Sequence, residues 1–115
     1  MIAVIFEVWP ASGRREDYLA IAAKLKPELE RMDGFISVER FQSLTDAGKL
    51  LSLSFWRDED AVRHWRNHEQ HRASQAAGRA EVFADYRLRI AAVVRDYSLA
   101  ERGQAPPDSR AFHKA

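Results

Sequence analysis

Residues 51–79, LSLSFWRDEDAVRHWRNHEQHRASQAAGR, change hydrophobic period part-way along. Over Leu50–Trp56 apolar and small residues alternate, which is the pattern of a strand. From Asp58 the spacing turns helical. Asp58 is a good N-cap, and Ala61, Val62 and Trp65 fall on one buried side of a short helix. Asn67 and His68 read as a break, after which a second helical segment runs to about Phe83. His64, His68 and His71 stand at or just before that second start. Trp, His and Gln are thus gathered beside an apolar strand, the mixture expected of a small-molecule pocket.

Upstream, Ile2–Trp9 alternates with Ile2, Val4, Phe6 and Val8 on one face and Ala3, Ile5, Glu7 and Trp9 on the other, so both faces are largely apolar. Pro10 and Ala11-Ser12-Gly13 end that strand. Between Arg14 and Met32, Tyr18, Ile21, Ala22, Leu25, Leu29 and Met32 recur every three or four residues and form one helical stripe. Pro27 inside the stripe predicts a kink or a division, and Asp33-Gly34 a stop. Phe35–Ser43 reads as a strand joined to the next by the turn 44–49, and Tyr86–Tyr97 as a last strand. The order is β-α-β-β-α-β, which predicts an α+β, ferredoxin-like fold: an antiparallel four-stranded sheet with helices on one face. The domain is placed at 1–98, and 99–115, which has no periodicity, as a C-terminal arm or disordered tail.

Ile5, Trp9 and their counterparts would leave an apolar patch on the open sheet face, and a second copy of the chain would cover it. A homodimer through that face is therefore expected. The 115 residues suffice for one core, and 18 basic against 17 acidic residues leave a net charge of +1. Such a balance gives no field to recruit nucleic acid or an anionic membrane. Cysteine is absent, which excludes disulfides, thiolate metal sites and a Cys nucleophile. MIAVIFEVWP has no basic leader region and is too short to span a bilayer, so a cytoplasmic protein is expected. No Gly-rich phosphate loop or GxSxG elbow occurs, which disfavours nucleotide-dependent and serine-hydrolase chemistry.

Several elements, in order, resemble the antibiotic biosynthesis monooxygenase family of dimeric α+β barrel proteins. They are Trp9-Pro10 through Gly13, Asp33-Gly34-Phe35, Ser54-Phe55-Trp56, Asp58-Glu59-Asp60-Ala61, Trp65 and His71. The resemblance covers residues 1 to about 98. It implies the fold and a dimer, and it points to activities that include cofactor-free oxygenation of phenolic or quinol substrates and haem degradation. The haem-degrading branch carries an Asn in the first strand and a ligating His ten residues after the helix Trp. Phe6 and Gln75 occupy those positions here, which disfavours that branch, although a shifted alignment would bring His71 to the ligand position.

What the resemblance implies for the site follows from side-chain chemistry. His71 would point into the cleft between helices and sheet and take a phenolic proton, making an anion able to reduce O2 with no cofactor. Trp65 and Gln75 would position the substrate and its oxyanion. Phe6, His68, Phe83 and Tyr86 are assigned to substrate binding. Read as packing alone, Trp65 is the large core residue of an amphipathic helix and His71 a histidine satisfied by a backbone carbonyl. No metal site is assigned, because HEQH lacks the HExxH spacing and the break at Asn67 would separate His64 from the other histidines. Glu7, mid-strand on the dimer face, needs a partner among Arg87, Arg89 and Arg95; a raised pKa would instead suit a general base. The expected function is a cofactor-independent monooxygenase of small aromatic substrates. The alternatives are a non-redox cyclase or isomerase using the same base, and a ligand-binding or stress-response protein without turnover.

Overall fold

A computed structural model of the chain describes residues 1–75 and 82–112, and for residues 70–75 the backbone alone. Its elements are β1 (Ile2–Pro10), α1 (Arg15–Glu30), β2 (Phe35–Gln42), β3 (Leu50–Trp56), α2 (Glu59–Gln75), β4 (Phe83–Ala92) and a short α3 (Pro107–Phe112). The four strands form one antiparallel sheet in the order β2-β3-β1-β4, the ferredoxin-like α+β arrangement.

Because side chains alternate along a strand, the register sorts the sheet into two faces. Val38, Ser54, Val4 and Ile90 make one row on one side; Glu39, Leu53, Ile5 and Arg89 make a row on the other. The first side is covered by helices and holds two buried clusters. Val8, Tyr18, Leu50 and Val82 form one, and Leu29, Trp56, Ala61 and Val62 the other. Helix α1 serves both through Tyr18 and Leu29, whereas α2 serves the second through Ala61 and Val62. Trp56 is 1% exposed and its indole N–H donates to Ser54 Oγ at 2.9 Å, so the one polar atom of the ring is satisfied inside the core. Burial of a ring that size contributes on the order of 4–6 kcal/mol.

Two local devices set the helices. Asp58 Oδ1 accepts the Ala61 N–H at 2.9 Å, the N-cap expected for α2. At the α1–β2 turn Gly34 has φ +87°, and a Cβ there would lie 2.6 Å from Ala61 Cβ; only glycine fits. Arg57 closes the same joint. Its N–H donates to the Gly34 carbonyl at 2.7 Å, and its guanidinium forks onto both oxygens of Asp33 at 3.1 Å.

Three expectations are corrected. Helix α2 passes through Asn67 and His68 without a break. Its inward stripe (Ala61, Val62, Trp65, His68, Glu69) keeps one phase, and a lone Asn costs a helix too little to interrupt it. Pro27 does not divide α1, because Ala23, whose carbonyl loses its partner, is exposed. The last strand is Phe83–Ala92, earlier than the alternation of 86–97 suggested. It pairs with β1 and ends where β1 begins, with Val93 N–H donating to the Met1 carbonyl at 2.9 Å. Beyond it the chain has local order of its own. The Arg102 guanidinium lies 5.0 Å from the Tyr97 ring centroid and donates to Ser109 Oγ at 2.8 Å, over a buried Ala105. The radius of gyration is 17.0 Å, with a longest extent of 55 Å. A compact chain of this length would have about 13 Å. Among the described residues no helix is long and apolar enough to cross a membrane.

Candidate active site

Between the two buried clusters the helix side of the sheet carries a different kind of row: Arg40, Ser52, Phe6 and Leu88. Ser52 lies on a strand with neighbours on both sides, yet it is only half-buried, so the helices do not close down on it. On β4 the same side is open, with Tyr86 56%, Leu88 48% and Ile90 41% exposed. The sheet therefore offers a floor with apolar packing at each end and a polar, partly open middle, which is how a small-molecule cleft is composed.

Three of the residues assigned to substrate binding meet at one end of this floor. Phe6 lies 6.0 Å from Phe83 and 5.6 Å from Tyr86, centroid to centroid, and Phe83 lies 6.1 Å from Tyr86. Tyr18 of α1 packs edge-on against Phe83 at 5.8 Å. The result is an aromatic wall anchored in the first cluster.

His68 is elsewhere. The inward face of α2 sets Trp65 against Trp56 at 6.5 Å, and His68 stacks on Trp65 at 5.6 Å with 30° between the rings. His68 Nε2 lies 3.4 Å from Glu28 Oε2, a long contact between half-buried groups on α2 and α1. An ionised carboxylate only accepts, so a neutral His68 would make this contact through an Nε2–H. The side chains of His71 and Gln75 lie outside the described residues, so those two assignments have no geometry here. Among the described residues no three His, Asp or Glu side chains come together as they would around a metal ion.

Glu7 is not the raised-pKa base considered from its strand position. Lys49 Nζ at 2.9 Å and Arg89 at 2.8 Å hold it, and their hydrogen bonds and charge keep its carboxyl below the usual range. It belongs to the open face of the sheet, in a charged corner with Lys49 over the Trp9 ring and the Trp9 indole donating to Asp46 at 3.0 Å.

Sequence reasoning missed Glu28 and Arg40. Each had a signal: Glu28 stands three residues after Leu25 on the edge of the α1 stripe, and Arg40 is in phase with Val38 on β2.

Residues 1–77 match the family profile described as antibiotic biosynthesis monooxygenase. The chain belongs to this family. A relative named jasmonate monooxygenase, from Pyricularia oryzae, is 47% identical over 93 residues, 81% of this chain and 43% of that protein, so this chain spans less than half of that relative's length. SnoaB of Streptomyces nogalater, a cofactor-independent oxygenase, superimposes with a TM-score of 0.68 at 13% identity over 83% of this chain and 94% of its own. The haem-degrader MhuD of Mycobacterium tuberculosis does so with 0.66 at 19% identity over 85% and 100%. At these identities the two likenesses speak for the fold, and they point to two different chemistries on it. Within the family's fold, this chain brings together on one side of the sheet an aromatic wall, a Trp–His stack and an arginine that has no ion pair among the described residues.

Proposed function

We propose that this chain is a monooxygenase that oxidises a small, flat aromatic substrate of the phenol, quinol or anthrone type without a cofactor. The observation that carries the reading is the 47% identity, over most of the chain, to a protein named as a monooxygenase. The geometry supports it: Phe6, Phe83 and Tyr86 suit a planar ring, and Trp65 presents an indole beside an imidazole oriented by Glu28. An imidazole of α2, His71 or His68, takes the acidic proton of the substrate. The resulting anion gives an electron to O2, and the two radicals combine into a peroxide. Loss of water then leaves one oxygen atom on the substrate, converting a CH2 into a carbonyl: R2CH2 + O2 → R2CO + H2O. Gln75 and the Trp65 indole steady the oxyanion.

The test is oxygen uptake with anthrones, hydroquinones and dihydroxynaphthalenes, with no metal, flavin or haem added. Wild type is run beside His71→Ala, His68→Ala and Trp65→Phe, each checked for folding. Uptake abolished by one of the two histidine changes identifies the base. No uptake with any substrate overturns the reading. A second reading has one specific support, the relative's name: the substrate is then an alicyclic oxo acid such as jasmonate, and jasmonate belongs in the same panel.

The protein is read as a homodimer through the open sheet face. Ile5, Leu51, Leu53 and Phe55 give that face an apolar centre. The arm beyond β4 exposes Val94 (79%), Leu99 (93%) and Phe112 (84%), apolar surface that a second copy would help to cover. Sedimentation at micromolar concentration tests this: a monomer there overturns it.

A further inference from the structure

We propose that Arg40, with Ser52 beside it, is an anion subsite in the cleft floor that takes a carboxylate of the substrate. The monooxygenase reading supplies the reacting ring; this inference adds that the molecule carrying the ring is an acid.

The argument starts from an unmade hydrogen bond. Arg40 is half-buried, and its Nε is closed off from solvent with no partner among the described residues. Among the described residues its guanidinium makes no ion pair. Arg14, Arg57, Arg63 and Arg89, by contrast, pair with Asp17, Asp33, Asp60 and Glu7. A guanidinium half-withdrawn from water without an anion beside it is costly, and since Nε is sealed, the two Nη groups are the donors a ligand can reach.

No acceptor is supplied by its surroundings on the sheet. Glu39, the adjacent carboxylate, faces the other side with Leu53. The in-phase neighbours are Val38, which is apolar, and Gln42, whose amide is already committed. Gln42 Oε1 accepts from Arg15, and its Nε2 donates to the carbonyls of Ser43, Asp46, Ala47 and Lys49. Across the strand pair lies Ser52, half-open and with a hydroxyl that has no hydrogen-bond partner among the described residues, and beyond it Phe6 of the aromatic wall.

A planar fork of donors with one hydroxyl beside it and a ring next to that matches a ring-borne carboxylate: two parallel N–H···O bonds from the guanidinium, a third from Ser52, and the ring on Phe6. A phosphate group would call for more donors than one guanidinium and one hydroxyl, and no Gly-rich loop provides them.

The experiment is an anaerobic titration, followed by tryptophan fluorescence, with two matched pairs: 1,4-dihydroxy-2-naphthoate against 1,4-dihydroxynaphthalene, and jasmonate against its methyl ester. In at least one pair the acid is expected to bind wild type about tenfold or more tighter than its uncharged partner. Arg40→Met brings that ratio to about one while leaving the uncharged partner's affinity in place, and Ser52→Ala lowers it a few-fold. Should Arg40→Met fold poorly, Arg40→Lys, which keeps the charge and loses the fork, retains only part of the preference. A wild-type ratio near one in both pairs, including no binding of either member, overturns the subsite, as does a preference that survives Arg40→Met. Oxygen uptake separates the two proposals. Acid preference without uptake removes the monooxygenase and keeps the subsite; uptake without acid preference does the reverse.

Discussion

On the helix side of the sheet the buried apolar clusters lie at the two ends, and the middle row of Arg40, Ser52, Phe6 and Leu88 is half polar. On the open side the arrangement is turned inside out. Ile5, Leu51, Leu53 and Phe55 hold the centre, and Glu7, Lys49 and Arg89 hold a corner. The same four strands make both patterns, because each residue step exchanges the faces. Polar groups enclosed by apolar walls select and orient a small molecule, whereas an apolar centre with charges toward its edge fits a protein surface. On the proposed reading the two faces serve two kinds of partner, and a change on one should spare the other.

The sharpest way to break that division is Leu53→Asp. A carboxylate in the centre of the open face should turn the proposed dimer into a monomer by sedimentation while the acid preference in the titration persists. Loss of both together would show that the faces are not independent. Trp56→Ala attacks the helix side instead. Removing the most deeply buried ring should cost about 3–5 kcal/mol in urea unfolding. A cost below about 1 kcal/mol would mean that the second cluster is not what holds α2 to the sheet.

Most of this division was legible in the sequence, and the parts that were not have a common cause. The alternation of Ile2–Trp9 and Leu50–Trp56 and the stripe from Tyr18 to Met32 gave strands, helix and layering, because burial imposes those periods directly. Asn67 misled because a local propensity was weighed against a tertiary stripe that runs on to His68. The bounds of β4 were misjudged because they belong to its partner β1, which no window on residues 86–97 contains. In the site, Phe6, Phe83 and Tyr86 were assigned together and do meet. His68 was assigned with them and instead joins Trp65 and Glu28. Glu28 lies 40 residues from His68 in sequence, and a pairing across that distance leaves no local pattern.

Two smaller effects refine the comparison. Asp58→Ala removes the cap of α2 and should lower the melting temperature by a few degrees, with the helix side weakened and the dimer intact. A loss of dimer in sedimentation would contradict this. Glu7 is the mildest. Lys49 and Arg89 hold its folded pKa below the ordinary 4.5, so its contribution is present above about pH 4.5 and is lost as the pH falls through the depressed folded value. Wild type and Glu7→Gln should therefore differ in urea unfolding near neutral pH and converge in acid. A gap that widened in acid would mean that the corner is not held together by the Glu7 charge.

The joint at Gly34 has a mechanical consequence. Helix α2 is fixed at its start, where Ala61 sits against Gly34 and Arg57 bridges to Asp33, so a change of angle at that joint is carried along the whole helix. His68 lies seven residues along, about 10 Å at 1.5 Å per residue. A tilt of about 6° at the joint would displace its imidazole by about 1 Å, an error of the size that disables positioned catalytic groups. The absence of a side chain at one turn residue therefore sets the aiming tolerance of a group on another element, far from the glycine itself.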